Sequence, residues 1–87
     1  MSDETKIRFE EAVERSKSLP KQPPAVMLDM YGLFKQATSG DASGKRPGAF
    51  DIRGRAKYDA WSSRKGMAAE TAMTEYVAYV EKLAAQS

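Results

Sequence analysis

The residues best placed for chemistry in this chain are aromatic and cationic rather than acidic or nucleophilic. Tyr31, Phe34 and Lys35 fall within one short segment. An aromatic ring beside a lysine at three- or four-residue spacing suits a planar, anionic ligand, because the ring stacks while the ammonium pairs with phosphate. Further along, Arg53, Lys57 and Arg64 recur at i, i+4 and i+11, with Ala60 and Trp61 close to the same direction. The chain has no His and no Cys. That removes the commonest general base, the commonest metal ligand and every thiolate. Ser39, Ser43, Ser62 and Ser63 have no identifiable base, and Asp41, Asp51 and Asp59 do not have the spacing of a calcium loop. Gly40 to Arg46 resembles a phosphate-binding loop only loosely, with the wrong spacing and no apolar strand before it. These features point to a binding protein, not an enzyme, with no metal and no cofactor.

Charge is spread unevenly. Residues 1–30 carry five basic and six acidic side chains, residues 31–66 eight and three, and residues 67–87 one and three. The middle third, at net +5, is therefore a candidate anion-binding surface, against the plainer reading of a solvated charged face. The 87 residues suffice for one domain. No apolar run approaches the ~20 residues that span a bilayer, and the opening residues lack the pattern of a secretory signal. Cytoplasmic location, a monomeric state and no stable membrane insertion are the corresponding expectations, and the missing cysteines fit a reducing compartment.

The elements that must position these groups read as helices. No stretch has the alternation of a strand. A first helix is expected from Asp3 to about Ser18, with Phe9, Ala12, Val13 and Ser16 on one stripe. Pro20, Pro23 and Pro24 interrupt the chain after it. A second helix is expected from near Pro24 to Thr38 or Ser39, stopping before Gly40. A long connection follows, rich in Gly and Pro, from Gly40 to Asp51. A third helix is expected over Ile52–Lys65, ended by Gly66, and a fourth over Ala68–Ala85. The fourth carries the strongest apolar stripe: Ala69, Ala72, Met73, Tyr76, Val77, Val80, Leu83 and Ala84.

The second helix has more apolar surface than one core stripe requires. At about 100° per residue, Val26, Met30, Leu33 and Ala37 share one direction. Met27, Tyr31, Phe34 and Thr38 form a second stripe beside them, with Lys35 at its margin. Two readings of the second stripe stand: a helix packed on two neighbours, or the wall of a cleft with Lys35 aimed at an anion. Trp61 reads as a packing anchor, and Tyr76 as a core phenol that needs a hydrogen-bond partner, either protein or ligand.

Several spaced motifs in order resemble the acyl-CoA-binding protein family. They are Tyr31-Gly32-Leu33-Phe34-Lys35-Gln36-Ala37-Thr38, Gly40-Asp41, Arg46-Pro47-Gly48, the run from Asp51 to Trp61, Lys65-Gly66, Ala72-Met73, Tyr76 and Val80-Glu81-Lys82-Leu83. The resemblance covers essentially the whole chain. It implies an all-α, four-helix fold with a long connection between the second and third helices. It also implies a carrier and pool buffer for long-chain fatty acyl-CoA thioesters, with no nucleic acid as partner. By the same resemblance Tyr31 and Lys35 contact the nucleotide and its phosphates, and Lys57 pairs with the ribose 3′-phosphate. Phe34, Arg53 and Tyr76 fall at the site, and Lys17 aligns with a further basic contact. Ala12, Val13, Met27 and Leu28 match positions near the ligand and its acyl tail.

Four departures stand out. Phe34 occupies a position where the family commonly has Tyr, which keeps a ring for the adenine and loses a hydroxyl. Arg53 and Arg55 stand where other basic or polar residues are common, and Tyr58 replaces a usual Trp. Met67-Ala68 replaces the Thr-Ser that begins the fourth helix, removing a side-chain cap worth ~1 kcal/mol.

Overall fold

Proline and glycine set the limits of the helices. The computed structural model describes residues 3–86, in which four α-helices follow one another: α1 (Asp3–Ser16), α2 (Pro24–Ser39), α3 (Ile52–Ser62) and α4 (Ala69–Gln86). The described residues contain no strand. Pro24 sits in the first turn of α2, where the missing N–H costs nothing. Asp51 caps α3, its carboxylate accepting from the Gly54 backbone N–H at 2.9 Å.

Two helices end earlier than their periodicity suggests. Beyond Ser16 the amides of Lys17, Ser18 and Leu19 reach back only three residues, to Glu14, Arg15 and Ser16. The chain is tightening ahead of Pro20, which disfavours helical backbone at the residue before it. α3 likewise stops at Ser62, and Arg64, Lys65 and Met67 make the same short-range bonds. Gly66 then turns the chain at φ 90°, a conformation that favours glycine. α4 begins at Ala69, with the Ala68 carbonyl accepting from Ala72.

The helices pack in the spatial order α1, α4, α2, α3. The resulting shape is a slab, 37 × 30 × 15 Å in extent. One core cluster joins Phe9 and Ala12 of α1, Leu33 and Ala37 of α2, and Ala72, Met73, Tyr76 and Val80 of α4. Each large apolar side chain buried there contributes roughly 1.5–3 kcal/mol. α3 contributes no fully buried residue and packs on α2 alone.

The contact between α2 and α3 uses a face that hydropathy does not mark. A Cβ added to Gly32 would stand 2.5 Å from the Ala60 carbonyl oxygen, so only glycine permits this backbone approach. The second apolar stripe of α2 is therefore only partly covered by its second neighbour. Met27 remains 55% exposed, and Tyr31 and Phe34 are half-buried.

The long connection is tied down along its length. Trp61 Nε1 donates to the Gly40 carbonyl at 2.6 Å, Tyr58 Oη to Gly44 O at 3.1 Å, and Arg55 Nε to Pro47 O at 2.9 Å. Arg46 pairs with Asp59 through two bonds of 2.9 and 2.8 Å. These contacts hold α3 where its weak apolar content would not.

Candidate functional site

Both outermost helices reach the second stripe of α2, α1 through Phe9 on Phe34 and α3 through Lys57 over Tyr31, and the strip of α2 surface between them is the candidate site, a shallow trough. Tyr31, Phe34 and Lys35 project from this strip because they occupy adjacent turns of one helix face. From the α3 side, Lys57 extends its Nζ to 5.5 Å from the centre of the Tyr31 ring. Lys35 Nζ lies 4.7 Å from the centre of the Trp61 ring. Two ammonium groups are thus held against aromatic faces, an attraction of about 0.5–1 kcal/mol each where water has access. Both contacts join α2 to α3, so the helix crossing at Gly32 sets the separation of the two cations.

The α1 side of the trough is apolar and aromatic. Phe34 stacks on Phe9 at 5.9 Å between ring centroids, and both rings meet Tyr76, at 6.4 and 5.2 Å. Phe9, Val13 and Phe34 line a shallow groove there, rimmed by Glu10 and Glu14. Phe34 therefore has much of its surface committed to the core. It anchors the floor of the site, and only the remaining surface is open to a ligand.

The other expected residues lie apart from this face or serve other roles. Arg53 is exposed and has no bonded partner among the described residues. Met27 lies with Met30 and Leu19 in a groove at the other end of α2, and Leu28 is half-buried. Lys17, exposed on the turn after α1, pairs with Glu14 at 3.1 Å, a surface ion pair of little energetic weight. Ala12 is buried between α1 and α4 and lines a groove of about 430 Å³ with Arg8, Arg15, Val77 and Val80. The structure does not bring it to the Tyr31 side. Tyr76 is buried, and its hydroxyl donates to Ser16 Oγ at 3.3 Å, so the phenol's partner is a protein group. Trp61 is half-buried and serves as the surface under Lys35 and a tie to Gly40, a different role from the core anchor its type suggests.

Composition and charge give no warning of the polar joint beneath the site. Gln36 is 1% exposed, and its Nε2 donates to Asp41 Oδ1 and to the Met67 carbonyl, both at 2.8 Å. The Gly66 N–H donates to the same Asp41 oxygen at 2.8 Å. The Gly66 and Gln36 bonds hold the Asp41 carboxyl below its ordinary range. This joint fastens the end of α2 to the approach to α4. The one signal available beforehand was the place of Gln36 between Leu33 and Ala37 on the helix.

Comparison with known proteins decides the family. The family described as Acyl CoA binding protein matches residues 6–80. The chain belongs to the acyl-CoA-binding protein family. It is similar to the acyl-CoA-binding protein homolog of Drosophila melanogaster, at 44% identity over 91% of this chain and 93% of that one. It is also 42% identical to acyl-CoA-binding protein homolog 1 of Caenorhabditis elegans, over 92% and 94%. Among solved structures, acyl-CoA-binding protein 2 of Oryza sativa superposes with a TM-score of 0.92 at 38% identity, covering 94% of this chain and 92% of that one. The acyl-CoA-binding protein of Moniliophthora perniciosa gives 0.88 at 40% identity, covering 99% and 83%. The all-α, four-helix architecture expected from the resemblance is therefore that of the acyl-CoA-binding protein fold. The coverage spans α1 through most of α4, so every residue of the trough falls inside the acyl-CoA-binding protein match.

Proposed function

We propose that this protein binds long-chain fatty acyl-CoA thioesters without chemical change and acts as their carrier and pool buffer. The observation that carries the reading is the pair of lysines, Lys35 and Lys57, held on aromatic faces at the margins of a trough whose other side is apolar. The ligand has matching parts: an anionic nucleotide head and a hydrocarbon tail.

In physical terms, the head fixes orientation. Tyr31, Phe34, Lys35, Arg53 and Lys57 receive it, with the ammonium and guanidinium groups on phosphate oxygens. Lys57 takes the ribose 3′-phosphate and the edge of Phe34 left open by Phe9 meets the adenine. Each shielded, charge-assisted bond contributes roughly 1.5–3 kcal/mol. The tail decides affinity, at about 0.8 kcal/mol for each methylene removed from water, with Val13, Met27 and Leu28 as its contacts. Lys17 adds a basic contact once it leaves Glu14. Tyr76 acts through Phe34, which it supports from below. The protein works as a monomer in the cytoplasm.

Calorimetric titration with saturated acyl-CoAs of increasing chain length, beside free CoA, tests this reading. Affinity is expected to climb with tail length, and Trp61 fluorescence is expected to change as Lys35 leaves its ring for phosphate. Equal affinities for free CoA and a long-chain thioester would overturn it. A steep salt dependence with no dependence on tail length would favour a nucleic acid instead.

A further inference from the structure

The most exposed large apolar side chains lie outside the trough, at the tip of the connection between α2 and α3. Phe50 is 101% exposed and Ile52 is 77% exposed. One exposed apolar residue needs no explanation, but two large ones a single residue apart form a small apolar patch. The tip is not a loosely held loop. The bonds from Tyr58 to Gly44, Arg55 to Pro47 and Arg46 to Asp59 strap the preceding residues onto α3, and the Asp51 cap fixes the following turn. The two side chains are presented by a fixed backbone.

The charges around them are predominantly positive, although Arg46 is already paired with Asp59. Residues 45–57 contain five basic side chains (Lys45, Arg46, Arg53, Arg55 and Lys57) and one acidic, Asp51, for a net charge of +4. Asp51 lies between the two apolar residues, but its carboxylate is drawn to the Gly54 amide at the positive end of α3. Lys45 and Arg53 have no bonded partner among the described residues. Exposed aromatic and aliphatic groups set in unpaired positive charge are complementary to an anionic lipid–water interface.

We propose that this tip is a lipid-surface docking element, in which Phe50 and Ile52 enter the interfacial layer of an anionic bilayer while Lys45 meets its headgroups. Docking is peripheral and reversible, since no helix among the described residues is long and apolar enough to cross a membrane. It places the basic end of the trough at the surface where amphiphilic thioesters partition.

The experiment is flotation of the ligand-free full chain with vesicles of phosphatidylcholine, with and without phosphatidylserine. The wild type is expected to float with the anionic vesicles only, and less as salt is raised. The double variant Phe50→Ser/Ile52→Ser is expected to lose about tenfold or more in vesicle affinity, and Lys45→Glu to weaken it as well. In solution the double variant should retain acyl-CoA affinity within about threefold, with an unchanged helical spectrum. Failure of the wild type to float with anionic vesicles overturns the proposal. So does flotation of the double variant equal to the wild type. If the variant loses acyl-CoA affinity while vesicle binding persists, the two side chains cover the ligand tail and the docking role falls. A wild type that floats but binds no thioester would instead overturn the carrier reading and leave docking in place.

Discussion

Lys57 Nζ lies 5.5 Å from the centre of the Tyr31 ring, and this contact is made across the junction of α3 and α2. The ring keeps the ammonium at the trough without forming a carboxylate pair that a phosphate would have to displace. A cation–aromatic contact of about 0.5–1 kcal/mol is weaker than a shielded phosphate bond, so ligand exchange is favourable.

Lys57→Ala should therefore weaken acyl-CoA binding by roughly 1.5–3 kcal/mol while leaving thermal stability nearly unchanged. Calorimetry with a ligand lacking the ribose 3′-phosphate is expected to show a smaller loss. An equal loss with both ligands would mean that Lys57 serves a different group.

Gly32→Ala probes the frame that spaces the two lysines. Its Cβ would meet the Ala60 carbonyl at 2.5 Å, and backbone on both sides has no flexible end to move aside. The expected cost is about 1–3 kcal/mol of stability. Thermal melting should show it, together with altered Trp61 fluorescence as α3 shifts on α2. A variant as stable as the wild type would show that the crossing can open freely.

The hydroxyl of Tyr76 is assigned to Ser16. Tyr76→Phe should cost about 0.5–1.5 kcal/mol of stability and change acyl-CoA affinity by less than about threefold. A tenfold or greater loss of affinity, seen by titration, would show the phenol turning to the ligand.

Acid stability follows from two carboxylates. Hydrogen bonds from Gly66 and Gln36 lower the Asp41 pKa below its ordinary value of 3.8, and the Arg46 bond does the same for Asp59. A lowered folded-state pKa means that the unfolded chain binds the proton more tightly. The stabilisation is thus complete above the ordinary carboxylate range and is lost as pH falls through the lower folded values. Circular dichroism melts should show stability declining below about pH 4. Asp41→Asn should reduce stability near neutrality and flatten that decline. An unchanged acid profile in this variant would remove Asp41 from the account.

The existence of the helices was legible because each carries a local signal: the Phe9–Ser16 stripe in α1, proline at the entry to α2, Gly66 after α3 and an unbroken apolar stripe for α4. Their ends were less so, because Pro20 and Gly66 act on the backbone over several residues and shorten α1 and α3 ahead of themselves. For the site, spacing placed Tyr31, Phe34 and Lys35 on one face. Lys57 has no local reason to meet that face, and the packing of α3 on α2 brings it to the Tyr31 ring; Arg53 is proposed there by the resemblance alone.

Amino-acid order alone determined which side chains share a helix face, the sign of the charge in the middle third, and the absence of a histidine or cysteine chemistry. Those properties follow from the pitch of the helix and from composition. Tertiary structure decided which faces are covered. α3 settles on Gly32 rather than on the apolar stripe because close backbone approach needs the absence of a Cβ, a feature that carries no hydrophobic signal. Phe34 is drawn into contact with Phe9 and Tyr76, three rings that only packing brings together. Gln36 is buried because Asp41 and the Met67 carbonyl are there to meet it, and both reach it only through the fold of the connections on either side of α3.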